Sequence, residues 1–213
     1  MAAREWFHDA AEQLVRAPGA RWWWDPLDRE RQTLLSGVLP GMPEAASWQV
    51  DLDVLATADW RAPRQVTTST MVSAHMPAVE LCDPEVIDRL PQPLGCWRTI
   101  VPADATVYEV GSPDDWRQLC ERYPREIPLP AEFRKWGANA RAVLVPDWPS
   151  VAADWDGLHL CIGGLLSTAG LPIHTGEWVC LLEDVDTEFT TWFHPRFTVD
   201  DLIESYDEQS LPL

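Results

Sequence analysis

Lysine is almost missing from this chain: of its 16 basic residues fifteen are Arg and one, Lys135, is Lys. Acids number 34, so the formal charge is −18 and the isoelectric point lies near 4.4. That balance excludes DNA, RNA and anionic membrane as expected partners, because each phosphate contact needs positive charge. Paired cysteines are absent too. The five Cys (82, 96, 120, 161, 180) are far apart, odd in number and without a CxxC, which predicts reduced, mostly buried thiols in a cytoplasmic protein. Long apolar runs are lacking. Met1–Leu14 carries Arg4, Glu5, Asp9 and Glu12, unlike a signal peptide. The longest uncharged run, Gly157–Gly176, holds five Gly, a Pro and two His, too broken for a membrane helix.

Cofactor and nucleophile signatures are equally scarce. The chain has no GxSxG, Walker loop, GxGxxG or HExxH. Its five His are scattered at 8, 75, 159, 174 and 194. His159, His194 and Asp156 are the right types for a two-His, one-carboxylate iron site, but the spacing is not. No metal and no cofactor are therefore expected. Gly163-Gly164 with Ser167-Thr168 reads as a bend with some capacity to hold an anion.

What the chain does have is tryptophan and proline. Among 213 residues there are 13 Trp, and 19 Pro where roughly 11 would be usual. Arg, Ala, Pro and Trp codons are GC-rich, which points to a high-GC bacterial source. Hydrophobic residues at 46% and charged residues at 23% suffice for a real core. Apolar spacing predicts helices over 4–16, from Asp25-Pro26 to a stop at Gly37, over 112–123 with Ser112 and Asp115 as capping pair, over 147–154, and over 199–206 capped by Thr198. Alternation and β-branched residues predict strands at 48–54, 65–72, 94–101, 105–110, 157–162, 177–183 and 188–193. Residues 124–140, with three Pro, read as an ordered connection. These elements predict a single compact α+β (or mixed α/β) domain over 1–213, with a mostly antiparallel sheet and several short helices. Residues 1–93 form its Trp-rich half and 94–213 its strand–helix–strand half.

One constellation carries chemistry. On a strand at 188–193, Glu188, Thr190 and Trp192 share a face. On a strand at 157–162, His159 stands opposite Leu158 and Leu160. If both polar faces look into one cleft, Asp156, His159, Glu188 and Trp192 converge. A carboxylate beside an indole suits a general base, so Glu188 is the expected base, Asp156 a second acid or orienting group, and His159 a proton shuttle. Thr190, Trp192, Trp155 and Trp23 are expected to bind substrate. Trp22-Trp23-Trp24 cannot all face one way, and indoles beside carboxylates favour a cationic ligand. The alternative is a solvated strand face, a hydrogen-bonded structural His159, and indoles that fill a core.

The runs Glu109–Pro124 (EVGSPDDWRQLCERYP), Asp154–Leu160 (DWDGLHL) and Asp186–Phe193 (DTEFTTWF) resemble a three-part pattern of poorly characterised actinobacterial proteins. In these, a (V)Y-x-(I/V)-x-S-x-x-D-(W/L) unit precedes D-(Y/W)-D-G-(L/V)-H-L and then W-D-x-E-S-T-x-W. The likeness spans Trp97–Phe193, with Val185 for the first Trp and Phe189 for the Ser. It implies that Asp156, His159, Glu188, Thr190 and Trp192 belong to one unit, and it supplies no activity. Separately, Thr68-Ser69-Thr70 and Glu188 resemble the Ser-Thr-Ser strand and catalytic Glu of the Arg-Ser-Glu class of ADP-ribosyltransferases. Here Asp186 stands at the Glu/Gln-x-Glu step, and no upstream arginine strand is evident in the sequence.

Three functions follow. The first is a cofactor-independent enzyme of specialised (natural-product) biosynthesis, in which a carboxylate base drives elimination, isomerisation or ring closure of a small cationic or amine-bearing metabolite. The second is an acidic immunity or inhibitor protein that binds a basic macromolecule, for which electrostatic steering explains the −18. The third is an ADP-ribosyltransferase-like domain. An enzyme with acid/base chemistry is the reading the residues favour.

Overall fold

Strand polarity is mixed but antiparallel pairs dominate, as the sequence predicts for an α+β protein. The computed structural model describes residues 16–36, 66–73, 77–78, 94–129, 140–183, 185 and 187–206. The predicted helix over 4–16, apart from its last residue, and the predicted strand at 48–54 lie outside these residues. The described strands are β1 (Gln32–Ser36), β2 (Thr67–Thr70), β3 (Leu94–Ile100), β4 (Val107–Val110), β5 (Pro124–Ile127), β6 (Ala142–Pro146), β7 (Gly157–Leu160), β8 (Ile173–Thr175), β9 (Trp178–Cys180), β10 (Phe189–Trp192) and β11 (Thr198–Tyr206). A 3-10 helix covers Pro18–Trp24, and the α-helices are α1 (Pro113–Arg122), α2 (Trp148–Asp154) and α3 (Ile162–Thr168).

Seven strands form one sheet in the order β11-β3-β1-β2-β10-β7-β4, parallel only between β7 and β4. Four form a second, β5-β6-β9-β8, parallel only between β6 and β9. β6 is buried along its whole length, which is why it reads as an unbroken apolar run. The main core has Leu158, Leu160 and Phe189 on one face of the larger sheet, against Trp116, Leu119, Trp148 and Leu182. α1 starts as predicted: Ser112 Oγ accepts from the Asp115 N–H, and Asp115 Oδ2 accepts from Ser112 Oγ and the Gly111 N–H. Cys96, Cys120, Cys161 and Cys180 are buried. Among the described residues no helix is long and apolar enough to cross a membrane.

Several elements differ from expectation for identifiable reasons. The segment after Asp25-Pro26 is not a helix; Asp25 instead caps the end of the 3-10 helix through its N–H to Trp22 O. Gln32–Ser36 is a strand because β2 and β3 pair with it on either side. Its buried polar groups are satisfied across strands: Thr33 Oγ1 donates to Ser69 O, Gln32 Nε2 to Thr70 Oγ1, and Thr68 Oγ1 to Gln32 Oε1. Residues 198–206 are also a strand. Register shifts between Val199 and Leu202 and between Leu202 and Glu204 give its apolar residues a spacing of three that imitates a helix. Gly163-Gly164 lies inside α3 rather than in a bend. Part of the 124–140 connection is β5, paired with β6.

Candidate functional site

The face of the larger sheet opposite the main core changes character along the strands. At one end it is apolar, with Trp97, Leu34, Val66, Trp192 and Val107 in contact. Further along, the registers align Glu109 with His159, His159 with Thr190, and Thr190 with Thr68, all on one face. Glu188 stands two residues before Thr190, and Thr70 two after Thr68. Glu188, Thr190 and Trp192 therefore share a face, as the alternation predicts.

Beyond this polar row opens a cavity of about 510 Å³, lined by Glu188, His159, Thr70, Arg31, Cys161, Ile162, Met71, Val72, Trp22, Asp25, Pro26 and Asp28. Glu188 is 1% exposed and is held from three sides. Its Oε2 accepts from Ser69 Oγ at 2.7 Å, and its Oε1 accepts from Thr70 Oγ1 at 2.9 Å. The Thr70 N–H reaches both oxygens at 3.2 Å. His159 Nε2 lies 3.3 Å from Oε1, while its Nδ1 lies 2.6 Å from Glu109 Oε2. Burial acts to lower the His159 pKa, but hydrogen bonds and charge from Glu109 and Glu188 outweigh it and push the value up to about 9. At neutral pH the ring is an imidazolium between two carboxylates, and both nitrogens donate.

Arg31 directly precedes β1, the strand paired with β2, and lines the cavity. Its Nη2 donates to Met71 O at 2.5 Å and to Val72 O at 3.3 Å. The arginine that the sequence left unseen thus stands one strand from Thr68-Ser69-Thr70, which in turn adjoins Glu188. Asp25 and Asp28 share the cavity wall with Trp22, so a ligand there meets acids and an indole as well as a guanidinium.

The remaining predicted site residues lie away from the cavity. Asp156 precedes β7 by one residue and is three from His159, a separation of about 10 Å along an extended chain. Its Oδ2 accepts from the Thr106 N–H (2.7 Å) and Thr106 Oγ1 (3.0 Å), with Arg196 Nη1 at 3.4 Å. Trp192 is a core residue: it packs on Phe197 and donates Nε1–H to Thr68 Oγ1. The indole beside Glu188's cavity is Trp22 instead. Thr190 is fully buried within the polar row, and its hydroxyl has no hydrogen-bond partner among the described residues. Trp155 donates to Tyr123 Oη and packs edge-on against Tyr108, with the Arg122 guanidinium 5.7 Å from its ring centre; the cation on this indole is the protein's own. Trp23 neighbours Trp24 and does not line the cavity.

Sequence reasoning missed Glu109 and Arg31 as members of the site, whereas Ser69 was named there only through the resemblance of Thr68-Ser69-Thr70. Of the two missed residues Glu109 left a signal, as the one acid in an otherwise apolar strand at 107–110. Among the described residues no group of three or more His, Cys, Asp or Glu is arranged to hold a metal ion. The chain matches no protein-family model, no curated protein and no solved structure.

Proposed function

We propose that the protein cleaves the nicotinamide–ribose bond of NAD+ and passes the ADP-ribosyl group to an acceptor or to water. The observation that carries this reading is the Ser69 Oγ to Glu188 Oε2 hydrogen bond of 2.7 Å at a cavity edged by Arg31. It gives spatial meaning to the likeness of Thr68-Ser69-Thr70 and Glu188 to Arg-Ser-Glu ADP-ribosyltransferases. In the reaction the bond between ribose C1′ and the nicotinamide nitrogen breaks, and its electron pair neutralises the pyridinium. Positive charge then develops on the ribose, as in oxocarbenium-like glycoside cleavage. A fixed carboxylate aimed at that charge stabilises it without reorganising during the reaction. Capture of C1′ by water or by an acceptor nucleophile, which gives up a proton, completes the balance.

Glu188 suits electrostatic work better than the proton abstraction expected from sequence. Four donor groups approach an acceptor with about four lone-pair sites, so no lone pair is reserved for a substrate proton. The expected cationic ligand remains, since the nicotinamide ring of NAD+ is itself a cation, and Trp22 with Asp25 and Asp28 complements it. Arg31 supplies the guanidinium that a diphosphate needs. The test is calorimetric titration with NAD+ combined with chromatographic detection of released nicotinamide. Binding and release are expected, with release falling by about a hundredfold or more in Glu188→Gln, the scale seen when one preorganised electrostatic group is removed. A protein that neither binds NAD+ nor releases nicotinamide would overturn the reading.

A further inference from the structure

Glu109 is set back from the cavity yet touches two parts of its wall. Its Oε2 holds the His159 ring at 2.6 Å, and its Oε1 accepts from the Leu27 N–H at 3.1 Å. Leu27 lies within the segment that brings Trp22, Asp25, Asp28 and Arg31 to the cavity. His159 in turn reaches Glu188. A continuous path therefore runs from the Leu27 backbone through Glu109 and His159 to the carboxylate at the cavity floor.

We propose that Glu109 and His159 are positioning residues, which aim the Glu188 carboxylate into the cavity and fix the Leu27 segment of the wall to it through one hydrogen-bonded chain. This rests on the reading of Glu188 as the reacting-site carboxylate. The geometry leaves His159 little other use: both ring nitrogens point at carboxylate oxygens, and the ring is 2% exposed. A neutral imidazole has one donor and cannot serve both carboxylates. The chain is therefore complete only with the imidazolium, which the His159 value of about 9 sustains at neutral pH. Other ionisable groups around it act from the side. Cys161, whose thiol burial pushes up, follows just past β7 as the cap of α3, and Asp25, Asp28 and Arg31 face the shared cavity.

Glu109→Gln is the informative change. The side chain is 40% exposed, the volume is kept, and the Gln oxygen can still accept from Leu27. In NAD+ turnover, kcat is expected to fall roughly tenfold or more, the scale found for partners that orient a reacting group from behind, with KM little changed. The alkaline limb of the pH profile, expected near 9 in the wild type from the His159 value, should move down by a unit or more. Glu109→Asp, which keeps the charge, should recover part of that shift. The His159 ring protons, followed by NMR against pH, give a readout free of turnover: their midpoint should fall in both Glu109→Gln and Glu188→Gln. Unchanged midpoints, or a Glu109→Gln pH profile identical to wild type, would overturn the proposal. Midpoints that move in a protein without NAD+ turnover would keep the chain and remove only the reaction assigned to it.

Discussion

Asp156 and Glu188 are both carboxylates flanking neighbouring strands, and their surroundings give them different work. Glu188 closes a row of hydroxyls and an imidazolium beside a cavity. Asp156 instead fastens the far end of β7 to the loop before β4, through the Thr106 backbone and hydroxyl, with Arg196 bridging to Asp104 at 2.7 Å. It is a clip between the parallel pair β4 and β7, and its side chain is only 16% exposed. Removing it hands the exposed Thr106 donors to water. Asp156→Ala is expected to destabilise the protein by about 0.5–1.5 kcal/mol, the net worth of a hydrogen bond whose donor can be resolvated. Affinity for NAD+, the proposed substrate, should stay within about twofold, as for a site beyond coupling distance. Denaturant midpoints and calorimetry read the two quantities separately. Wild-type stability together with lost NAD+ binding would put Asp156 back in the site.

Among the elements, the 3-10 helix Pro18–Trp24 and α3 depend on each other through a missing side chain. A Cβ on Gly163 would lie 2.2 Å from Trp24 Nε1 and 2.4 Å from its Cδ1, distances no real contact tolerates. Trp24 is 39% exposed, so the indole and its short helix would give way rather than α3. That helix also carries Trp22 into the cavity wall. Gly163→Ala should therefore weaken NAD+ binding while melting temperature changes little. Adding Trp24→Ala should relieve the clash, with a coupling between the two changes of about 0.5–3 kcal/mol. Purely additive effects on binding would show that Trp24 does not transmit the strain. Gly164 differs, because its Cβ would strike Val110 O, a backbone atom, at 2.0 Å.

Across the whole molecule, what the sequence revealed and what it hid divide by distance along the chain. Local signals were sound: the Ser112–Asp115 cap, the alternation that put Glu188, Thr190 and Trp192 on one face, and the antiparallel α+β character. The site itself is long-range. Ser69 and Glu188 are 119 residues apart and His159 and Glu109 fifty apart, and no spacing rule joins strands whose order is β1-β2-β10-β7-β4. β11 misled because its bulges gave a helical spacing, and β1 because its polar residues are satisfied only by neighbours distant in sequence. The same assembly makes the Glu109–His159–Glu188 chain a property of the folded state alone, and so a source of pH-dependent stability. His159 binds its proton up to about pH 9 when folded, against an ordinary value of 6.5. Between those values the native state holds one proton more than the unfolded chain, so stability falls as pH rises. The contribution is complete below about 6.5 and gone above about 9, with a slope no steeper than about 1.4 kcal/mol per pH unit. Buried Cys120 acts in the same direction but in another window: burial raises its thiol well above the usual 9.0, so its share is lost only above pH 9. Denaturant unfolding at pH 6, 7.5 and 9 should thus show a steady loss of stability in the wild type. In His159→Gln that slope should flatten, while the decline above pH 9 persists. A wild-type stability that is level from pH 6 to 9 would mean that His159 is not held as an imidazolium between Glu109 and Glu188.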